Sequence, residues 1–112
     1  MALNNKLIIS QQNFVYIIDQ NQILFCQSES CYTTIYLSDG KSHMMVRSLS
    51  KVAKEDLNGN DFLRVNQSFL VNRNFILRID KKNKLLNLLN NHAIPFTVSI
   101  KELMILLHKE AS

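Results

Sequence analysis

The chain has 112 residues and a mass of 13.0 kDa, with 46% hydrophobic residues, 20% charged residues, two glycines and one proline. This length fits one domain, residues 1–112, and it allows a buried core without disulfide or metal staples. The composition excludes a disordered or low-complexity chain, which would be less apolar or richer in glycine and proline. Thirteen Lys and Arg against nine Asp and Glu give a net charge of +4, a modest excess that many inert domains share.

Short runs of β-branched and aromatic residues, separated by polar turn residues, predict strands in the first part of the chain. These runs lie at 14–18, 23–26, 33–37 and 43–46. Asp39-Gly40 stands between the last two runs. Because both residue types tolerate positive φ, this pair predicts a hairpin.

The hydrophobic period changes after these strands. Ser48 is a suitable N-cap, and Leu49, Val52 and Ala53 share one helical face, which predicts a helix from Ser48 to Leu57. Gly59 follows as a residue suited to the left-handed conformation that ends helices.

Two further strands are predicted at 75–79 and 84–89, each followed by a polar turn. Ser99 and Glu102 then form a capping box that predicts a final helix. The apolar face of that helix comprises Ile100, Leu103, Met104 and Leu107. The chain is thus expected to be mostly β with two short helices.

Neither the cysteines nor the apolar runs indicate an exported or membrane-bound protein. Cys26 and Cys31 are too few for a disulfide framework, and we expect both to be free thiols in a reducing cytoplasm. The apolar run 7–9 is too short for a signal peptide, and the run 103–107 is too short for a membrane span.

No motif for catalysis or metal binding stands out. The three histidines are scattered along the chain, and neither cysteine has zinc-ligand spacing to another Cys or His. Glu55 and Asp56 are adjacent, so on a helix they point in different directions and do not suit acid–base chemistry. We therefore expect neither an enzyme nor a bound cofactor or metal.

The distribution of charge is more informative than its total. Between Lys41 and Lys84 there are ten basic and four acidic residues, a local net charge of +6, whereas the rest of the chain has a net charge of −2. Such asymmetry is typical of a surface that binds a polyanion. Lysines that protect a strand edge from aggregation would explain Lys81, Lys82 and Lys84 equally well.

Three segments, taken in order, carry a family pattern. Residues 23–41 contain a strand, a loop, the pair Tyr32-Thr33 and a second strand that ends in Asp-Gly. Residues 48–57 begin with Ser-Leu, and residues 62–72 read Phe-Leu-Arg-Val-Asn-Gln-Ser-Phe-Leu-Val-Asn. Ile94-Pro95-Phe96-Thr97 precedes the last predicted helix. Together these segments resemble LytTR-type DNA-binding domains over about residues 14–107.

The resemblance implies an elongated stack of small antiparallel sheets whose loops enter the major groove of DNA. It further implies sequence-specific binding of double-stranded DNA at promoter repeats in bacterial transcription regulation. Such domains usually form the output of two-component response regulators in the cytoplasm. A receiver domain upstream and a homodimer on DNA are partners that the resemblance would allow.

Ten residues are candidate DNA contacts. The resemblance implies contacts from the first loop, from the family's His-Arg-Ser triplet and from the start of the last helix; these positions correspond here to Ser30, Cys31, Asn66, Gln67, Ser68, Ser99 and Lys101. Arg47, Lys51 and Arg73 are added as basic residues that could position the domain on phosphates. Structural roles compete for some of these positions: Ser68 and Asn72 could cap a turn, Ser99 could act only as a helix cap, and Arg64 could pair with Asp61.

The chain departs from the family pattern in each of the three predicted contact segments. Cys31 is a poor hydrogen-bond donor, Asn66-Gln67 replaces a histidine and its neighbour, and Val98-Ser99 stands where an arginine pair is usual. Gln67 can still read adenine. These departures leave an alternative, a LytTR-like fold that acts as a protein-interaction or sensor accessory module with weakened DNA binding. A weaker alternative is an unrelated β domain that binds single-stranded nucleic acid, which would need exposed stacking aromatics.

Overall fold

The computed structural model describes residues 5–57 and 60–109. Within these ranges the strands are β1 (Lys6–Ser10), β2 (Val15–Asp19), β3 (Ile23–Glu29), β4 (Tyr32–Leu37), β5 (Ser42–Met45), β6 (Phe62–Arg64), β7 (Phe69–Asn72), β8 (Ile76–Asp80), β9 (Leu85–Leu88) and β10 (Ala93–Pro95). The helices are α1 (Leu49–Lys51), which continues directly as a π-helical turn (Val52–Asp56), and α2 (Ile100–Leu107).

The strands form three antiparallel sheets. A two-stranded sheet has the order β1-β2, a five-stranded sheet the order β5-β4-β3-β7-β6, and a three-stranded sheet the order β10-β9-β8. The molecule measures 45 × 30 × 24 Å along its principal axes. These features confirm the predicted fold class, an elongated stack of small antiparallel sheets with two short helices.

Strand β3 lies between two hydrophobic cores. Ile23 and Cys26 pack into the core beneath the β1-β2 sheet and α1, and Leu24 and Phe25 pack into the core beneath the three-stranded sheet and α2. The pairing register of β3 with β4 shifts between Ile23 and Phe25, and this bulge lets the successive residues Leu24 and Phe25 face the same core. Burial on both faces explains the uninterrupted apolar run in this part of the sequence.

The predicted strands at 14–18, 23–26, 33–37, 43–46, 75–79 and 84–89 all exist, with ends shifted by at most three residues. The Asp39-Gly40 hairpin also exists: Gly40 has a φ of +93° and its N–H donates to the carbonyl oxygen of Leu37 at 3.1 Å. Strands β1, β6, β7 and β10 were not predicted as strands. They are three to five residues long, so they show little periodicity of their own.

Both predicted helices begin at their predicted caps. The Ser48 hydroxyl accepts from the Lys51 N–H, and the Ser99 hydroxyl accepts from the Glu102 N–H at 3.0 Å. The first helix is α-helical for one turn only, after which the Leu57 N–H donates to the carbonyl oxygen of Val52, five residues back. The predicted terminator Gly59 lies outside the described residues.

The buried face of α2 differs in part from the prediction. Leu103 is fully buried, and Ile100, Leu106 and Leu107 pack around it in the second core. Met104 is 40% exposed and lies outside this stripe. The predicted apolar face is therefore wrong at Met104. The second core covers Leu103 and the residues three or four positions from it, and Met104 lies to one side of these.

Side-chain hydrogen bonds link the five-stranded and three-stranded sheets at opposite ends. At one end, Asn90 Nδ2 donates to the carbonyl oxygen of Ser38 at 2.9 Å, beside the β4–β5 turn; we call this the distal end, residues 38–41 and 89–91. At the other, Asn66 Nδ2 donates to the carbonyl oxygen of Pro95 at 2.6 Å. We call this the loop end, residues 30–31, 66–68 and 95–101.

Candidate nucleic-acid interface

The loop between β6 and β7 is shaped by one side chain, that of Asn66. Its Oδ1 accepts hydrogen bonds from the backbone N–H groups of Ser68 at 2.7 Å and Phe69 at 2.9 Å. Its Nδ2 donates to Pro95, which is the last residue of β10. Since the Asn66 amide is engaged on both sides, its role is to shape the loop, and the neighbouring side chains of Gln67 and Ser68 are the exposed ones.

Arg64 braces the same loop from its other side. The guanidinium donates from Nε to the carbonyl oxygen of Asn66 at 2.9 Å and from one terminal nitrogen to that of Gln67 at 2.7 Å. The other terminal nitrogen donates to the Ser50 hydroxyl of α1 at 3.2 Å. The expected pairing of Arg64 with Asp61 is therefore wrong, because the loop carbonyls offer a planar guanidinium several acceptors at once. Sequence reasoning missed this bracing role.

Backbone hydrogen bonds bring the three predicted contact segments together. The Ser28 N–H donates to the carbonyl oxygen of Ser68 at 2.8 Å, which joins the loop to the β3–β4 hairpin. The Thr97 N–H donates to the carbonyl oxygen of Val65 at 2.9 Å, which joins it to the segment before α2. The loop end is consequently one surface, although its parts are separated by up to about seventy residues of sequence.

The tip of the β3–β4 hairpin is exposed at this surface. Glu29 pairs with Tyr32, so Ser30 and Cys31 are the two turn residues between the strands. Ser30 has a φ of +59°, in the left-handed region that costs a non-glycine residue conformational energy. Cys31 is an exposed free thiol, whereas Cys26 is buried within the first core. Burial raises the pKa of the Cys26 thiol far above its ordinary value.

The start of α2 contributes Ser99 and Lys101 to the loop end. Ser99 was predicted either as a DNA contact or only as a helix cap. Its side chain is exposed, and its hydroxyl caps α2. Lys101 is exposed in the first turn, next to the acidic Glu102. Val98 is half-buried against the second core, so the first of the two positions where the family pattern has arginine presents no polar group.

Two of the predicted phosphate contacts are engaged inside the protein. Arg47 binds Glu55 at 2.6 Å and Asp56 at 2.7 Å, and the hydrogen bond to Glu55 is the main reason that the guanidinium pKa is raised. The Arg73 side chain is only 11% exposed and pairs with Asp61 at 3.5 Å. It also donates to the carbonyl oxygens of Leu106 and Leu107, at the negative end of α2, and to that of Lys109 just beyond the helix. Lys51, by contrast, is exposed on α1.

Comparison with known proteins agrees with this architecture. The family model described as the LytTr DNA-binding domain matches residues 13–107. The chain belongs to the LytTR family. A solved structure, the LytTr DNA-binding domain of a putative methyl-accepting/DNA response regulator from Bacillus cereus, is similar with a TM-score of 0.76. The two are 19% identical, and the match covers 94% of this chain and 98% of that one. No curated protein sequence matches this chain.

Several aromatic side chains of this LytTR domain pack around Phe25. Phe25 and Tyr36 stack with ring centroids 4.5 Å apart, and His92 meets Phe25 edge-on at 5.0 Å. Burial, followed by the charge of Glu29, raises the pKa of Tyr36. Phe69 is half-buried against the same Phe25 ring. These contacts make Phe25, Tyr36 and Phe69 packing residues, so they do not supply the exposed stacking platform that single-stranded nucleic acid needs. Phe14, outside this group, is 65% exposed.

The remaining histidines also have packing or helix-end partners. His43 packs against Tyr16 at 4.6 Å, and His108 Nδ1 lies 2.7 Å from the carbonyl oxygen of Met104. Among residues 5–57 and 60–109, no group of three His, Cys, Asp or Glu side chains is arranged to hold a metal ion. Within the same ranges no helix has the length and apolar character that a bilayer crossing needs.

Proposed function

We propose that this LytTR domain binds double-stranded DNA sequence-specifically, as the cytoplasmic output domain of a bacterial response regulator acting at promoter repeats. The observation that carries this proposal is the position of Gln67. Its side chain is exposed at the centre of the loop end, while the backbone around it is braced by the side chains of Asn66 and Arg64. An exposed amide on a fixed backbone is suited to pair with the N6 and N7 groups of adenine in the major groove.

The bracing matters because an ordered loop loses little conformational freedom on binding. Asn66 and Arg64 together supply six side-chain hydrogen bonds, five of them to backbone groups. Fixing such a loop only on binding would cost roughly 1 kcal/mol or more for each residue ordered. The backbone that carries Gln67 is therefore held in place before binding, which favours a base-reading role for this residue.

The shape of the domain suits a duplex. Its 45 Å long axis exceeds one turn of B-form DNA, about 34 Å, which separates successive major grooves on one face. The hairpin tip at Ser30 and Cys31 and the start of α2 at Ser99 flank the Gln67 loop. In the proposal these two flanking segments approach the grooves on either side, with Ser68 beside Gln67.

Exposed lysines supply the proposed phosphate contacts at this surface. Lys51 and Lys101 form no ion pair within the described part of the chain, so their ammonium groups can neutralise DNA phosphates. Arg47 and Arg73 are not included in the proposed contact set because their guanidinium groups already bind acidic or carbonyl partners. The sequence alone would include all four basic residues, whereas the ion pairs and hydrogen bonds of the structure leave the two lysines.

A salt titration tests the proposal. The purified domain is titrated with a duplex pool of about 30 base pairs, roughly three helical turns, and with single strands of the same length. We expect duplex affinity to fall as salt rises, with a log–log slope near −0.9 for each phosphate neutralised. A slope near zero, or tighter binding to the single strands, would contradict it.

A second candidate function is a protein-interaction or sensor accessory module that keeps the fold with weakened DNA binding. The observation that favours it is Val98, which packs against the second core where the family pattern places an arginine. Loss of such a reader removes about 1–3 kcal/mol of base discrimination. Under this reading the titration above gives only weak binding to the duplex pool.

A further inference from the structure

The turn between β8 and β9 lies at the loop end. Leu85 at the start of β9 pairs with Pro95, and the Phe96 N–H donates to the carbonyl oxygen of Lys84 at 3.1 Å. The Lys84 ammonium also lies 5.1 Å from the centre of the Phe96 ring. Pro95 and Thr97, on either side of Phe96, are the residues that hydrogen-bond to Asn66 and Val65. The turn is therefore next to the segment that supports the Gln67 loop.

This turn carries an excess of positive charge. Lys81, Lys82 and Lys84 are exposed, and none of them forms an ion pair with a described residue. Asp80 is the acid of the turn, but its carboxylate accepts hydrogen bonds from the backbone and side-chain nitrogens of Asn83 at 3.0 and 2.9 Å. Three lysines thus face solvent against one aspartate that is already bonded within the turn.

Protection of a strand edge does not account for these lysines. Strand β8 is an edge of its sheet, and lysines guard such edges when they lie along the strand. Here they lie beyond the end of β8, and the strand itself exposes Leu77, which is 66% accessible. The three lysines therefore lie at the end of the sheet, whereas Arg78, the basic residue of β8 itself, donates to Asn87 Oδ1 at 2.7 Å.

We propose that Lys81, Lys82 and Lys84 form a basic turn that binds the phosphate backbone of the same duplex, outside the base pairs that Gln67 reads. This inference rests on the proposed function and adds to it an interaction that is independent of base sequence. The basic turn would thus extend the DNA-contact surface from the loop end along one side of the domain. The partner is double-stranded DNA, since the turn lies beside the surface that faces the duplex.

The test compares two variants that lower the net charge by the same two units. K81Q/K82Q changes two exposed residues of the basic turn, and K41E changes an exposed lysine at the distal end. Strand β4 alone, about 17 Å long, separates that end from the hairpin tip. With the random duplex pool, we expect K81Q/K82Q to flatten the salt slope by about 0.9 for each phosphate that is no longer neutralised, and K41E to match the parent.

Two other outcomes overturn the inference in distinguishable ways. If the parent binds with a steep salt slope but K81Q/K82Q and K41E have equal slopes, the basic turn does not bind DNA and the proposed function stands. If the parent shows no salt-dependent duplex binding, the proposed function and this inference both fail. Thermal unfolding of each variant checks that the fold is retained, which we expect because all three substituted lysines are exposed.

Discussion

Asn66 Nδ2 donates to the carbonyl oxygen of Pro95 at 2.6 Å, across 29 residues of sequence. This bond joins the loop that carries Gln67 to the strand that leads into α2. With the two backbone bonds accepted by Asn66 Oδ1, it makes one amide responsible for the shape of the loop. The residue next to the proposed base reader is thus a positioning residue.

Replacing Asn66 should therefore affect stability and binding together. We expect Asn66→Ala to lower the free energy of unfolding by about 1–3 kcal/mol, since three backbone groups lose their partner. Duplex affinity should fall for all sequences, because the loop is no longer held. Asn74→Ala, at an exposed position after β7, is the control and should change neither quantity. Urea unfolding and duplex titration measure the two effects; a stable Asn66→Ala with altered base preference would show that Asn66 reads bases directly.

Arg73 is expected to matter for stability rather than for DNA. Arg73→Met leaves Asp61 and the last carbonyl oxygens of α2 without their charged partner, so we expect a loss of about 2–3 kcal/mol in unfolding free energy. The salt slope of duplex binding by the folded protein should stay that of the parent. A flatter slope with unchanged stability would return Arg73 to the phosphate-binding residues.

The two cysteines provide a footprint of the proposed interface. N-ethylmaleimide should modify the exposed Cys31 once, and leave Cys26 unmodified because burial both shields that thiol and raises its pKa. Added duplex should slow the modification of Cys31, as mass spectrometry can follow. Equal rates with and without saturating duplex would place the hairpin tip outside the interface.

Asp80 gives a prediction for pH. Hydrogen bonds from the backbone and side chain of Asn83 hold the pKa of this carboxyl below its usual value. A depressed pKa stabilises the fold above the unfolded value of about 3.9, and that contribution disappears as pH falls through the lower folded pKa. Asn83→Ala should raise the Asp80 pKa towards about 3.9, which a side-chain NMR titration detects. An unchanged titration would mean that the Asn83 side chain does not contribute.

The sequence was sufficient for the elements that carry their own local signal. Ser48 and Ser99 marked both helix starts, and Asp39-Gly40 marked a hairpin. Strands β6 and β10, with three residues each, form because β7 and β9 offer them partners, which no local pattern reveals. The fold class and family followed from motifs spread over most of the chain.

Charged partners could not be assigned from spacing. Asp61 is three residues from Arg64, yet it pairs with Arg73, because Arg64 meets the loop carbonyls and Arg73 meets the end of α2. Arg47 likewise finds Glu55 and Asp56 only because the π-helical turn packs beside it. Packing between distant segments decides which basic residues face solvent. The count of charges along the sequence therefore located the basic region of the chain, but it did not identify the ion-pair partners of its arginines.

Site selection tests the proposal that Gln67 reads a base. The parent domain and Gln67→Ala are each used to select preferred sites from a randomised duplex pool, and affinities for single-base variants of the parent site are then compared. For Gln67→Ala we expect an unchanged fold and a preference relaxed at one base pair by about 1–3 kcal/mol, with other positions unaffected. Identical site preferences for the two proteins would contradict it.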